Sequence, residues 1–278
     1  MLSYRHSFHA GNHADVLKHV VLTEILRHLT RKETGISYID THAGAGLYNL
    51  ESDHGQKLAE YNTGIGRLTG VDWPELQPYL TVLSHVNPPG VLTTYPGSPL
   101  FAQSLLRPQD QSWLFELHPT DHQLLSNHFA GHKKVRVQRS DGLAALPGLL
   151  PPPSRRGLVL IDPSYEIKRD YHQVVKALRL AHRRFATGVY ALWYPVVDRR
   201  HIQQLEQSLK AAMIPHIQRF ELGIAPDNPQ RGMTASGMIV INPTWGLFDM
   251  MDQLLPKLAA RLGYSGRGHH RCDILVPQ

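Results

Sequence analysis

The stretch LVLIDPSY, residues 158–165, runs an aliphatic, strand-like segment straight into an aspartate, a proline, a serine and a tyrosine. Three other apolar runs end in a similar way. ISYI is followed by Asp40-Thr41-His42-Ala43-Gly44-Ala45-Gly46, WLF by Glu116-Leu117-His118-Pro119, and VRVQ by Arg139-Ser140-Asp141-Gly142. One acid at a strand end is often only a cap for the next helix. Acids at or just beyond the ends of four successive strands, one leading into Gly-x-Gly, describe a site. Ligands of open parallel sheets sit beyond the carboxyl ends of the strands.

The pattern narrows the ligand. Gly44 and Gly46 permit a tight turn and close approach to the backbone. No third glycine completes the dinucleotide fingerprint, and GxxxxGK[ST] is absent. An adenosine-containing molecule without phosphates fits better: Glu116 would accept from its ribose hydroxyls and Asp141 from its adenine amine. The molecule of this kind whose sulfonium would attract carboxylates is S-adenosylmethionine. With a methyl donor in place, Asp162-Pro163-Ser164-Tyr165 acquires a use. The lone pair of adenine's exocyclic amine is delocalised into the ring, so a catalyst must draw on the amine protons to turn nitrogen density toward the methyl group. The Asp162 carboxylate and the Pro163 carbonyl are suitable acceptors, and proline fixes φ and holds that carbonyl in place. Tyr165 would lie flat on the base, a stacking worth roughly 1–3 kcal/mol. The same four residues also read as a type I turn in which Asp162 caps the next helix. The buried strand before them and the glycine loop upstream favour chemistry.

These groups need a frame. Val16, Val20, Val21, Ile25 and Leu29 predict an amphipathic helix over residues 13–30. Strands are expected at 36–40, 113–117, 135–138, 158–162 and 189–194, alternating with helical stretches. That alternation predicts right-handed βαβ units and a mostly parallel sheet. RFELG and ASGMIVINP have no long helix between them and would close the sheet as an antiparallel hairpin. Residues 47–94 contain Pro74, Pro78, Pro88 and Pro89 with helix-like patches such as LQPYLTVLSHV. So long a connection should have structure of its own, and it reads as a helical insertion in a single domain spanning 1–278, ahead of a helix at PLFAQSLL. GHHRC near the C-terminus reads as a solvated loop.

Composition sets the class. The chain has 278 residues and one cysteine, Cys272, which excludes an intramolecular disulfide framework and fits a reducing compartment. The polar, histidine-rich N-terminus has no apolar h-region, and no apolar run approaches membrane-spanning length. A soluble, cytoplasmic protein with no membrane partner is expected. The net charge of +6 favours a polyanion such as nucleic acid. The basic pairs Lys133-Lys134, Arg155-Arg156, Arg183-Arg184 and Arg199-Arg200 are scattered, so any basic surface must be assembled by the fold. His6, His9, His13 and His19 match no zinc spacing and have no cysteine nearby, so no metal is expected. Residues 13–19 would begin a helix covering the donor pocket, with Lys18 reaching a phosphate. Trp193 reads as core, and Tyr194-Pro195 as lining for the base pocket.

The stretches MLSYRHSFHAGNHADVLKH, YIDTHAGAG, YPGSP, ELHP, SRRGLVLIDP-x-Y, FATG-x-YALWYPVV and RGMTASGMIVINP carry a resemblance. Essentially end to end, the chain resembles the bacterial 23S ribosomal RNA adenine-N6 methyltransferase family. The resemblance implies an α/β, Rossmann-like class I methyltransferase fold with a small helical insertion. It implies S-adenosylmethionine as donor and one adenine of naked or partly assembled 23S RNA as substrate. Its donor contacts fall on His19, His42, Ser98, Glu116, Asp141 and Gly142, beside Asp40, Gly44 and Gly46 of the glycine loop. Its catalytic acceptor falls on Asp162. Tyr4 matches an RNA-contacting position, with His6 and Lys18 in the same block, and the basic N-terminal block and the insertion would grip phosphates. Ser164 departs from the family, where a second proline is usual, and the rigidity lost is worth about 0.4–1 kcal/mol. Two alternatives remain open at this stage: a DNA adenine-N6 methyltransferase, and a non-catalytic nucleic-acid-binding protein linked to use of external DNA. Oligomeric state is not legible.

Overall fold

The computed structural model describes residues 5–165, 169–228 and 232–278. Helix α1 (His13–Leu29) begins where the Asn12 side chain accepts from the backbone N–H groups of Ala14 and Asp15, satisfying donors that a first helical turn leaves open. After it come β1 (Ser37–Asp40), β2 (Leu47–Asn49), α2 (Asp53–Leu58), α3 (Gln77–Ser84), β3 (Thr94–Pro96) and α4 (Ser98–Gln103). The chain continues through β4 (Gln111–Phe115), α5 (Pro119–His128), β5 (Val135–Gln138), α6 (Gly142–Leu149), β6 (Gly157–Ile161) and α7 (Arg169–Arg184). It closes with β7 (Val189–Val196), α8 (Arg199–Ala211), β8 (Ile217–Gly223), β9 (Ala235–Ile241), α9 (Leu247–Leu262) and β10 (His269–Val276).

The main sheet has the order β10-β8-β9-β7-β6-β1-β4-β5. Strands β5, β4, β1, β6 and β7 are parallel, while β9 runs antiparallel between β7 and β8. This is the mostly parallel, Rossmann-like sheet expected, with β8 and β9 as the closing antiparallel pair. The central strands are continuously apolar because helices cover both faces. On β6, Leu158 and Leu160 enter the core beneath α1 and α9, while Val159 and Ile161 enter the core beneath α7 and α8.

Three expectations are corrected. The C-terminal GHHRC is not a solvated loop: it opens β10, antiparallel to β8 with Cys272 opposite Phe220. An edge strand needs little apolar periodicity, since backbone pairing and the Arg219–Asp273 ion pair recruit it. The strand expected at 113–117 ends at Phe115, because Glu116 turns out to accept from the backbone of Gly44 and His118. The segment 47–94 is not wholly helical; β2 pairs antiparallel with β3, Leu47 opposite Pro96, and closes it at its base. Its Leu68, Leu76, Tyr79 and Leu83 join the same core as α1. Among the described residues, no helix is long and apolar enough to cross a membrane.

Candidate active site

Strands β1 and β6 lie side by side, Asp40 opposite Leu160, and the chain leaves them in opposite directions, from β1 toward β4 and from β6 toward β7. Such a reversal leaves a crevice at the carboxyl ends of the strands. A cavity of about 760 Å³ opens there, within the range of sites for ligands of nucleoside size and above. Thr41 to Gly44 after β1, Glu116 to His118 after β4, and Asp162 to Tyr165 after β6 all line it. Helix α1 roofs it with His13, Asp15, Lys18 and His19.

The glycine loop is held from outside the loop. Gly44 takes φ +64°, and its N–H donates to Glu116 Oε2 at 2.9 Å. Glu116 Oε1 accepts from the His118 N–H at 2.6 Å. Burial pushes the Glu116 carboxyl up, against the pull of those two amides. A Cβ on Gly44 would lie 2.2 Å from the Tyr48 hydroxyl, and one on Gly142 would lie 2.4 Å from the Thr41 carbonyl oxygen. Glycine at 142 therefore lets the start of α6 close against the β1 loop.

Not every expected residue reaches the cavity. Asp40 is 0 % exposed and lies behind the wall. Its Oδ2 accepts from the hydroxyls of Tyr38 at 2.7 Å and Ser98 at 2.6 Å, and its Oδ1 from the His42 N–H at 3.2 Å. Burial pushes it up to about 6. Asp40 thus positions Ser98 and His42, which do line the cavity. Gly46 also sits behind, its carbonyl accepting from Gly97. Asp141 is exposed and caps α6 through the Ala144 N–H, so only its neighbour Gly142 lines the cavity. His19 bonds the Tyr95 hydroxyl through Nδ1 at 2.8 Å and stacks on Phe101. Its Nε2 is buried and has no partner among the described residues. Burial holds His19 well below the usual imidazole range and His42 at about 4, so both are neutral near pH 7.

Beyond β6, Asp162 Oδ2 lies 2.5 Å from Lys18 Nζ, which lies 2.9 Å from Asp15 Oδ1. Asp15 Oδ2 accepts from the Gly11 N–H at 2.9 Å and meets His6 Nε2 at 2.9 Å. Lys18 is 5 % exposed. Burial alone would discharge it, but the two carboxylates outweigh that and hold it charged. The expectation that Lys18 reaches a phosphate is therefore corrected: its ammonium is already held between two carboxylates at the cavity wall. His6 is likewise turned inward, its ring edge-on to Tyr48. Tyr165 adopts φ +51°, donates its hydroxyl to the Trp193 carbonyl at 2.8 Å and packs against Tyr171. Pro163 is buried in the wall and Ser164 is exposed at it. Trp193, expected in the core, lines the cavity with a buried, unpartnered Nε1 among the described residues. Tyr194 points away and bonds Glu221 at 2.9 Å; its neighbour Pro195 lines the cavity instead. Tyr4 lies outside the described residues.

Asp15 and Trp193 were missed by sequence reasoning. The only signal for Asp15 was its i,i+3 spacing to Lys18, which reads equally well as a surface ion pair. Asp15, Glu60, Glu116, Asp121, Asp162 and Asp198 line the cavity, and Lys18 is the one Lys or Arg among its described lining residues. Lys18, Arg5 and Arg200 pair with four of these acids and offset three of the six charges, and the net negative charge that remains suits a sulfonium better than a phosphate. The expected phosphate grip of the N-terminal block and insertion is corrected accordingly. Arg5 pairs with Asp121 at 3.3 Å and His9 with Glu60 at 3.1 Å, and residues 47–94 hold two Lys or Arg against five Asp or Glu. Among the described residues, no group of three or more His, Cys, Asp or Glu is arranged to hold a metal ion.

Residues 33–276 match the family model described as "Ribosomal RNA large subunit methyltransferase D, RlmJ". The chain is 51% identical over 280 residues to "Ribosomal RNA large subunit methyltransferase J" of Escherichia coli K12, and 50% identical over 281 residues to the protein of that name in Haemophilus influenzae. Each alignment covers 100% of both chains. The crystal structure of a Legionella pneumophila Philadelphia 1 protein superposes with a TM-score of 0.89 at 36% identity, covering 96% of this chain and 98% of that one.

Proposed function

The chain belongs to the large-subunit ribosomal RNA methyltransferase J family, and from that premise we propose that it transfers a methyl group from S-adenosylmethionine to N6 of one adenine in 23S ribosomal RNA. The observation that carries the reading is the single cavity shared by Asp162 to Tyr165 and by the Gly44–Glu116 loop.

The donor fits the residues present. Glu116 keeps lone pairs for a ribose diol beyond its two backbone bonds, and the Gly44 turn admits a ligand close to the main chain. The buried His19 Nε2, without a partner among the described residues, supplies a polar atom, and the acidic lining suits a positive sulfur. When bound, the donor supplies an electrophilic methyl whose leaving group is a neutral thioether. Asp162, fixed by Lys18, and the Pro163 carbonyl accept from the amine and orient its nitrogen toward that methyl. Trp193 and the ring of Tyr165 wall the space a base would enter. The adenine must leave its stack to reach Asp162. Once the base is in, holding methyl and nitrogen in line supplies much of the acceleration.

Asp162→Ala should cut methyl transfer to a 23S transcript by about 10²–10³, the usual loss for one preorganised group, while calorimetry shows intact donor binding. An unchanged rate would refute the mechanism. A DNA copy of the target hairpin, assayed beside the RNA, separates the two polymers. On this reading the reaction would take place in the cytoplasm, with naked or partly assembled large-subunit RNA as the substrate.

A further inference from the structure

The acidic cavity leaves open where the positive charge of this chain resides. The five parallel strands start at one rim of the sheet: Ser37 is level with Gln111 and Gly157, Ser112 with Val135, and Leu158 with Val189. The segments leading into them, 31–36, 107–110, 132–134, 153–156 and 183–188, therefore converge at the end opposite the cavity. They carry nine Lys or Arg, and Glu33 and Asp110 are their only acids, a net of +7 where the whole chain has +6. The remainder of the molecule is close to neutral.

Three of the nine brace the rim. Arg107 pairs with Asp110 and donates to the carbonyls of Thr30 and Lys32, Arg156 donates to that of Leu29, and Arg184 to that of Leu150. The other six, Arg31, Lys32, Lys133, Lys134, Arg155 and Arg183, are exposed. Among the described residues, none of the six lies within ion-pair distance of a carboxylate. Arg155 holds φ +50°, a conformation that would suit glycine better. The field is felt locally: burial lowers the His28 imidazole, and Arg31, Lys32 and Arg156 lower it further.

We infer that this rim is a second nucleic-acid contact, which holds the phosphate backbone of an RNA segment other than the one that delivers the target adenine. Cations spread over several loops match backbone contact, which is electrostatic and indifferent to sequence. A protein partner would call for an apolar, aromatic centre, and no exposed large apolar residue lies in these five segments. Strands of four or five residues rising about 3.3 Å each, plus their loops, set the rim on the order of 20 Å from the cavity. A hairpin of about four base pairs, roughly 14 Å long at about 3.4 Å per pair, does not span that distance from Asp162, whereas a long folded transcript does. The inference rests on the proposed RNA substrate.

The test replaces Lys32, Lys133, Lys134, Arg155 and Arg183 together by glutamine, with Lys133→Glu/Lys134→Glu as a milder second variant. Each is compared with wild type for binding a full-length 23S transcript and a hairpin of about four base pairs, too short to span the distance, across a salt series. The fivefold variant should bind the transcript at least about tenfold more weakly, with a log–log salt slope shallower by about 4. The double variant should also show a shallower slope. Hairpin affinity and single-turnover methylation of the hairpin should not change. Unchanged transcript affinity and slope would overturn the inference and leave the rim to an acidic protein. An equal loss on both RNAs would also overturn it, by placing these charges at the catalytic face. Should wild type methylate neither RNA, the proposed function fails, yet the binding comparison still reads the rim.

Discussion

Asp15→Asn is the most incisive perturbation of the catalytic side, because it changes one charge and almost no volume. Asp15 is 1 % exposed and holds the Gly11 amide, His6 and Lys18 together. Burial alone would raise its carboxyl, but the charges of His6 and Lys18 outweigh this and hold it well below the usual range. Breaking a buried ion pair from one side costs about 3–5 kcal/mol. Lys18 keeps Asp162 as a partner, so the lower figure applies, about 3 kcal/mol. For a chain of this size that is a fall in Tm of about 6–12 °C. A thermal melt followed by near-ultraviolet circular dichroism at pH 7.5 reads it directly. Because the pair is buried, the fall should persist from about 0.1 to about 0.5 M salt, over which the Debye length shrinks from about 10 Å to about 4 Å. The Asp15 carboxyl is depressed in the fold, so its contribution is present above the ordinary carboxylate range and is lost as pH falls. The gap between variant and wild type should therefore hold down to about pH 4 and narrow as pH falls further below that. Methyl transfer should drop as well, since Lys18 loses one of the two anchors that keep it on Asp162. A Tm within about 2 °C of wild type, or a gap abolished by salt, would show that the triad behaves as a surface pair and refute the reasoning.

Two further outcomes follow from the site. His13 is buried and lowered from 6.5 to about 4, burial outweighing the pull of Glu60 and Asp15. The unfolded chain therefore binds the proton more readily between those values, and stability is lost as pH falls. The loss should be roughly 2 kcal/mol between about pH 6.5 and 5, seen in urea denaturation and diminished in His13→Gln. Glu116→Gln replaces charged acceptors by neutral ones and turns an amide N–H toward the Gly44 or His118 amide. S-adenosylmethionine binding by calorimetry should weaken about 5–30-fold, a loss of about 1–2 kcal/mol, and an affinity within twofold would count against Glu116 as a donor contact.

Much of the frame was legible because the central strands are buried on both faces and read as unbroken apolar runs. β1, β6 and β7 fall where those runs predict, the edge strand β5 falls where the Val135–Val137 alternation does, and Asp162 stands one residue past β6. The β10 strand was not legible, since an edge strand carries polar residues on its open face and is recruited by its neighbour's backbone. Nor was the ribbon β2–β3, whose short strands pair across the whole insertion.

By itself the sequence determined which residue types stand at the strand ends, because strand periodicity and turn chemistry are local. It supplied Glu116, Asp162 and the Gly44 turn. Only the tertiary structure decided which of the acids face the cavity: Asp40 was withdrawn behind Ser98, Asp141 was spent on a helix cap, and Asp15 was brought in from α1. Only the tertiary structure, too, turned Lys18 from a phosphate ligand into the partner of Asp162, and gathered scattered basic pairs into one rim. The physical reason is common to all of these. Whether a charge meets solvent, another charge or a ligand depends on which chain segments the sheet order brings within a few ångströms, and that separation, 144 residues for Lys18 and Asp162, leaves no local trace.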